Sequence, residues 1–131
     1  MILNSKILGS NDKVLIILHG LFGSLDNWFS IAKELSIFYQ VHILDQRNHG
    51  KSFHDFEHNY DAMSNDLYSY IHYHEIKDPI ILGHSMGGKT AMVFAFHYPN
   101  SLKKLIILDI GPKNYINDYN TLISTLIEIN N

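Results

Sequence analysis

Cysteine is absent from the chain, which removes disulfides and thiolate metal sites from consideration. Arginine is nearly absent: Arg47 is the only one, and ten Lys plus Arg face thirteen Asp plus Glu for a net charge of -3. A chain with that balance has no positive field for nucleic acid or acidic lipid, so neither a nucleic-acid nor a membrane partner is expected. No apolar stretch approaches the roughly 18 residues of a membrane span, and Met1 to Lys6 lacks the basic-then-apolar start of a signal peptide. A cytoplasmic setting is therefore expected. Repeats, low-complexity linkers and charge blocks are also missing, and with them any sign of a domain boundary. What is present is a 46% hydrophobic chain of 131 residues, too apolar for disorder and of one-domain size. Its 18 Ile and 12 Asn beside nine Lys and one Arg suit an AT-rich genome.

Short apolar runs at Val14 to Leu18, Val41 to Leu44, Ile80 to Leu82 and Leu105 to Leu108 do not alternate with polar residues. Such runs suit parallel strands buried on both faces. Between them lie helical periods. Trp28, Ile31, Ala32 and Leu35 follow Ser24 as the expected N-cap, and Met63, Leu67, Tyr70 and Ile71 follow Asp61. A third helix is expected from Met86 to about Tyr98, stopped by Pro99, and an extra strand at Ile2 to Leu8. The alternation predicts an α/β fold with a mostly parallel, doubly wound sheet and flanking helices.

Gly83-His84-Ser85-Met86-Gly87 follows a strand and opens a helix, the G-x-S-x-G pattern of a nucleophile elbow. Its glycines permit a tight turn that presents the Ser85 hydroxyl, and the Met86 amide at the helix start would face an oxyanion. Three fixed positions arise by chance in roughly one chain in 25 of this length, so the pattern needs support. The same stretch also fits a phosphate-binding loop, G-x-x-x-x-G-K-[ST], through Gly83, Gly88, Lys89 and Thr90, with Asp109 as a magnesium carboxylate. Against that reading, only eighteen residues separate Thr90 from Asp109, and such nucleotide folds usually place another strand between.

Two further motifs lie at strand ends: His19-Gly20-Leu21-Phe22-Gly23-Ser24, and Asp45-Gln46-Arg47-Asn48-His49-Gly50-Lys51-Ser52. All three occupy the carboxyl ends of parallel strands, where open α/β sheets keep their ligands. Together they resemble the α/β-hydrolase superfamily, and the D-x-R-N-H-G-x-S run with G-H-S-M-G-G-K resembles its YbfF-type esterase and acyl-thioesterase branch. The resemblance implies Ser85 as nucleophile, the Leu21 and Met86 amides as oxyanion hole, Asp109 as the acid that orients the base, and pocket or structural roles for His19, His84 and His49. It implies no metal and no cofactor, and an ester or acyl thioester as the small-molecule substrate. Asp109 reads equally well as a cap of the turn Ile110-Gly111-Pro112.

Other residues read more plainly. His54 and His58 have helical metal spacing but lie in a loop without a third ligand; His72 and His74 read as partly exposed packing. Asp45 and Arg47 read as a structural pair that holds the loop after their strand, with presentation of Arg47 to an acyl substrate's polar head as the second reading; Met63, Met86 and Met92 read as core or pocket lining, and Lys89 and Thr90 as first-turn residues. After Ser85 the only histidine is His97, twelve residues along a helix and so about 18 Å away, too far to serve as base. The family order is Ser, acid, His. The expectation is that residues 1–131 form the N-terminal part of a single domain truncated before its last strands, with 114–131 starting a helical cap. Leu105 to Leu108 would then be an edge strand prone to self-association. A non-catalytic remnant or binding module is the alternative to an active serine hydrolase.

Overall fold

The computed structural model describes residues 1–108; Asp109 and the cap helix expected at 114–131 lie outside the described residues. In chain order come β1 (Ser5–Leu8), β2 (Val14–Leu18), a 3-10 turn (Leu25–Trp28) running into α1 (Phe29–Leu35), β3 (Gln40–Leu44), α2 (Tyr60–Tyr73), β4 (Ile80–His84), α3 (Met86–His97) and β5 (Lys104–Leu108). The sheet order is β1-β3-β2-β4-β5. Strand β1 runs antiparallel to β3, and the other neighbours are parallel.

Two cores follow from the strict side alternation of a strand. Leu15 and Ile17 of β2 face Leu25, Trp28, Ile31, Ala32 and Leu35, the stripe of the turn and α1. Ile16 and Leu18 face Leu67, Tyr70 and Ile71 of α2 and Ala91 and Phe94 of α3. A strand covered on both faces has no polar side, which is why the run Val14 to Leu18 is apolar throughout.

One helix end agrees with the sequence expectation and two differ: the expected cap Ser24 belongs to the 3-10 turn ahead of α1, whose own N-cap position is Trp28. Ser24 caps the 3-10 turn: its side chain accepts from Asp26 N–H, while the Asn27 side chain takes the Ser24 N–H at 2.8 Å. Helix α3 ends at His97, just before Pro99. The cap of α2 is Asn59 rather than Asp61; Asn59 Oδ1 accepts from Ala62 N–H at 2.8 Å, and Asp61 sits inside the first turn. Strand β1 is also shorter than the expected Ile2 to Leu8. Asn4 still accepts the Asp45 N–H on its carbonyl at 2.9 Å, but its own N–H goes to Ser52 Oγ and its side-chain amide to Asp45, each at 2.8 Å. Among the described residues β5 has no strand on its outer side, and Ile107 is 37% exposed. No helix of the described residues is long and apolar enough to cross a membrane.

Candidate active site

Ser85 joins β4 to α3 with φ 54° and ψ −113°, a conformation that L residues rarely adopt. Close packing holds it there. A methyl group on Gly83 would overlap the main chain of Gly87 and Gly88, and one on Gly87 would overlap the carbonyls of Leu18 and His19. Both glycines of the G-x-S-x-G pattern are thus required by contact between main chains. The Ser85 N–H donates to Leu108 O at 2.9 Å, and Lys89 N–H donates to Ser85 O at 3.1 Å as the first turn of α3. The Ser85 side chain is exposed and caps no helix amide.

The segment after β2 abuts this serine. A methyl on Gly20 would stand 3.4 Å from Ser85 Cβ. Leu21, Ser85 and Met86 line one cavity of about 270 Å³, with Met63, Lys89 and His58 among its other walls. His84 lines an adjoining cavity of about 410 Å³ with Trp28 and the Gly20–Gly23 loop, its ring 6.0 Å from that of Trp28. His49 stands at the rim with Phe22 and His58. His19 is different: it is fully buried, and its ring braces two loops. Gln46 N–H donates to His19 Nε2 at 3.0 Å and Gln46 Nε2 donates to His19 O at 2.8 Å. Burial, chiefly, lowers the pKa of His19, although its hydrogen bond to Gly20 O opposes this.

Asp45 and Arg47 do not pair with each other. Asp45 accepts from Leu25 N–H, Lys51 N–H and the Asn4 amide, at 2.8, 2.9 and 2.8 Å. Burial pushes its carboxyl up, but these bonds outweigh burial and leave the pKa below its ordinary value. Arg47 instead grips Asp66 of α2, with Nε to Oδ2 at 2.6 Å and Nη2 to Oδ1 at 2.9 Å, and donates to Glu57 O. The hydrogen bond from Arg47 to Asp66 is the main reason its guanidinium pKa is raised. Asp66 escaped the sequence reading; its one signal was an acid flanking the apolar stripe of Met63, Leu67 and Tyr70. Met92 is exposed rather than core, unlike Met63 and Met86. His97 Nε2 bonds Asp61 at 3.0 Å on the surface, and His54 and His58 are exposed loop residues. Strand β5 pairs directly with β4, so the intervening strand that a phosphate-loop fold would place there does not exist.

The fold is a mostly parallel sheet with an antiparallel first strand, and it carries a serine held at positive φ on the turn from β4 into α3. Residues 13–128 match the α/β hydrolase fold family, and the chain belongs to it. Esterase YbfF of Escherichia coli is 38% identical over 105 residues, covering 80% of this chain and 41% of that protein. The sn-1-specific diacylglycerol lipase ABHD11 of Xenopus laevis is 45% identical over 100 residues, covering 75% of this chain and 32% of that one. Among solved structures, a marine microorganism esterase superposes with a TM-score of 0.81 at 43% identity, covering 95% of this chain and 50% of the other. The chain therefore spans about a third to two fifths of the length of these curated relatives, by the 32% and 41% shares.

Proposed function

We propose that the chain carries the nucleophile and oxyanion hole of a serine hydrolase acting on carboxylic esters or acyl thioesters. The observation that carries this reading is the strained Ser85, exposed at the start of α3 and sharing a cavity with Leu21 and Met86. In the proposed step Ser85 Oγ bonds to the substrate carbonyl carbon, and its proton passes to a base. The Met86 and Leu21 N–H groups take the charge that develops on the carbonyl oxygen. Collapse expels the alcohol or thiol, which takes a proton, and water then releases the acid from the acyl-enzyme. The names of the relatives, an esterase and a diacylglycerol lipase, support ester chemistry.

The proposal assigns Asp109 as the acid that orients the base, supported by its place in sequence right after Leu108, whose carbonyl holds the Ser85 N–H. It assigns the base to none of the 131 residues, since His97 is engaged by Asp61 away from Ser85. It treats residues 1–131 as the N-terminal part of one hydrolase domain in a cytoplasmic protein, with 114–131 opening a cap, and has β5 drive self-association of the isolated chain. Light scattering that finds only monomers would remove that last element. The chemistry is tested with a fluorophosphonate probe and a short p-nitrophenyl ester, beside Ser85→Ala. Labelling and turnover lost with Ser85→Ala are the expected result. Residual activity of about 10³ to 10⁴ over water is compatible with an oxyanion hole lacking its base. If Ser85→Ala labels as well as the parent, the proposal fails.

A further inference from the structure

The loop between β2 and the 3-10 turn has an unusual centre. Gly23 N–H donates to Gly20 O at 3.0 Å, closing a tight turn, and Phe22 within it has φ 60°, left-handed for a non-glycine residue. The Phe22 side chain is 91% exposed, so its own packing does not impose this conformation. Its main chain is held instead: Phe22 N–H donates to His49 Nε2 at 3.2 Å. The other ring nitrogen of His49, Nδ1, lies 2.9 Å from Arg47 O. An amide only donates and a carbonyl only accepts, so the two bonds together require the neutral ring with its proton on Nδ1. A proton on Nε2 would set donor against donor.

His49 is itself mounted firmly. Its carbonyl partner belongs to Arg47, which is clamped by Asp66 and by Glu57 O. The root of the same loop is pinned separately by the reciprocal bonds between His19 and Gln46, and the His19 and His49 rings stand 5.1 Å apart. Root and tip of the Gly20–Gly23 turn are thus tied to the loop after β3 by different residues. Leu21 lies between the two ties.

We propose that His49 is a positioning residue for the oxyanion hole: by accepting the Phe22 N–H, it fixes the turn that presents the Leu21 N–H beside Ser85. The inference rests on the hydrolase reading for its catalytic consequence, but not for the latch itself. With the Phe22 amide engaged by His49, the Leu21 amide is the one the turn offers to a carbonyl oxygen on Ser85. Without the latch the turn can relax from its left-handed centre and rotate that amide away.

Two measurements on the 131-residue chain test this. The first reads the latch directly, through the His49 imidazole nitrogen-15 signals and the hydrogen exchange of the Phe22 amide. The proton is expected on Nδ1, and Phe22 exchange is expected to accelerate in His49→Ala. A proton on Nε2, or equal Phe22 exchange in both chains, overturns the proposal. The second follows fluorophosphonate labelling of Ser85 against probe concentration in the parent, His49→Ala and His49→Gln. Removing an oxyanion donor outright costs about 10² to 10³ in rate, so misaiming one is expected to lower the limiting rate of His49→Ala by about tenfold. The half-saturating probe concentration should stay nearly constant, and His49→Gln, whose Oε1 can accept the same N–H, should recover most of the rate. A limiting rate unchanged in His49→Ala overturns the positioning role. If the parent chain resists the probe altogether, the missing base accounts for it, and the His49 nitrogen-15 signals and Phe22 exchange alone then decide the proposal.

Discussion

Arg47 and Asp66 form a two-point clamp between the loop after β3 and the middle of α2, with side chains only 9% and 10% exposed. Two parallel N–H to oxygen bonds fix both planes, which a lysine at position 47 would not do. Removing one partner leaves the other charge sparsely solvated. Asp66→Ala is expected to destabilise the fold by about 2 to 3 kcal/mol, toward the low side of losses at buried pairs because both groups keep some access to water. Replacing both groups, as Arg47→Met with Asp66→Leu, should cost less than Asp66→Ala alone. Urea unfolding of the three chains checks the ordering; a double variant weaker than the single one would contradict it.

Strain at Ser85 makes a prediction of opposite sign. A residue held at φ 54°, ψ −113° carries a penalty of order 1 to 3 kcal/mol, against about 0.4 to 1 kcal/mol that a glycine adds to unfolded-chain entropy. Strain is the larger quantity, so Ser85→Gly is expected to stabilise the fold by about 1 kcal/mol. Ser85→Ala keeps the Cβ and should gain much less. Denaturation midpoints decide; a Ser85→Gly chain no more stable than Ser85→Ala would mean that the turn is not strained.

Acid should weaken the fold through His42. This ring is buried between β3 and α2, with Nδ1 2.7 Å from the Tyr70 hydroxyl and Nε2 3.0 Å from Gln40 Oε1. Burial first, then the nearby His74, lowers its pKa from 6.5 to about 4. The folded pKa lies below the unfolded one, so between these values the unfolded chain binds a proton that the folded chain refuses. Stability is fully present above about pH 6.5, falls as pH drops toward 4, and loses up to about 3 kcal/mol from this group. His19, also shifted downward, adds loss of the same sign. Stability measured from pH 7.5 to 4 should show this slope, and His42→Gln should flatten it. A slope equal in both chains would assign the acid sensitivity elsewhere.

Much of this architecture was legible because its determinants are local. Strand β2 announces itself in Val14 to Leu18, since a strand covered on both faces needs apolar side chains throughout, and α1 in the spacing of Trp28, Ile31, Ala32 and Leu35. The elbow was legible because Gly83 and Gly87 answer to backbone contacts that admit no Cβ. What escaped was pairing across long separations. Asp45 and Arg47 are neighbours on the page, yet their strand-end geometry sends Asp45 to Asn4 and Leu25 and Arg47 to Asp66. Nothing in a linear pattern distinguishes these partners from other Asp or Asn side chains. The Asn59 cap was missed for a smaller reason: Asn59 and Asp61 are both good capping types two positions apart, and only the register of the first turn chooses between them.

The three donors that meet on the Asp45 carboxylate come from separations of 41, 20 and 6 residues. Such a junction closes fully only when the ends of β1, β2 and β3 lie side by side, and its bonds are expected to form after the rate-limiting step of folding. Loosening it should leave the refolding rate nearly unchanged and hasten unfolding, which makes this carboxylate a determinant of how long the native state lasts rather than how quickly it is reached. Stopped-flow refolding and unfolding of Asp45→Asn would separate the two, and a slower refolding limb would place the junction in the nucleus instead.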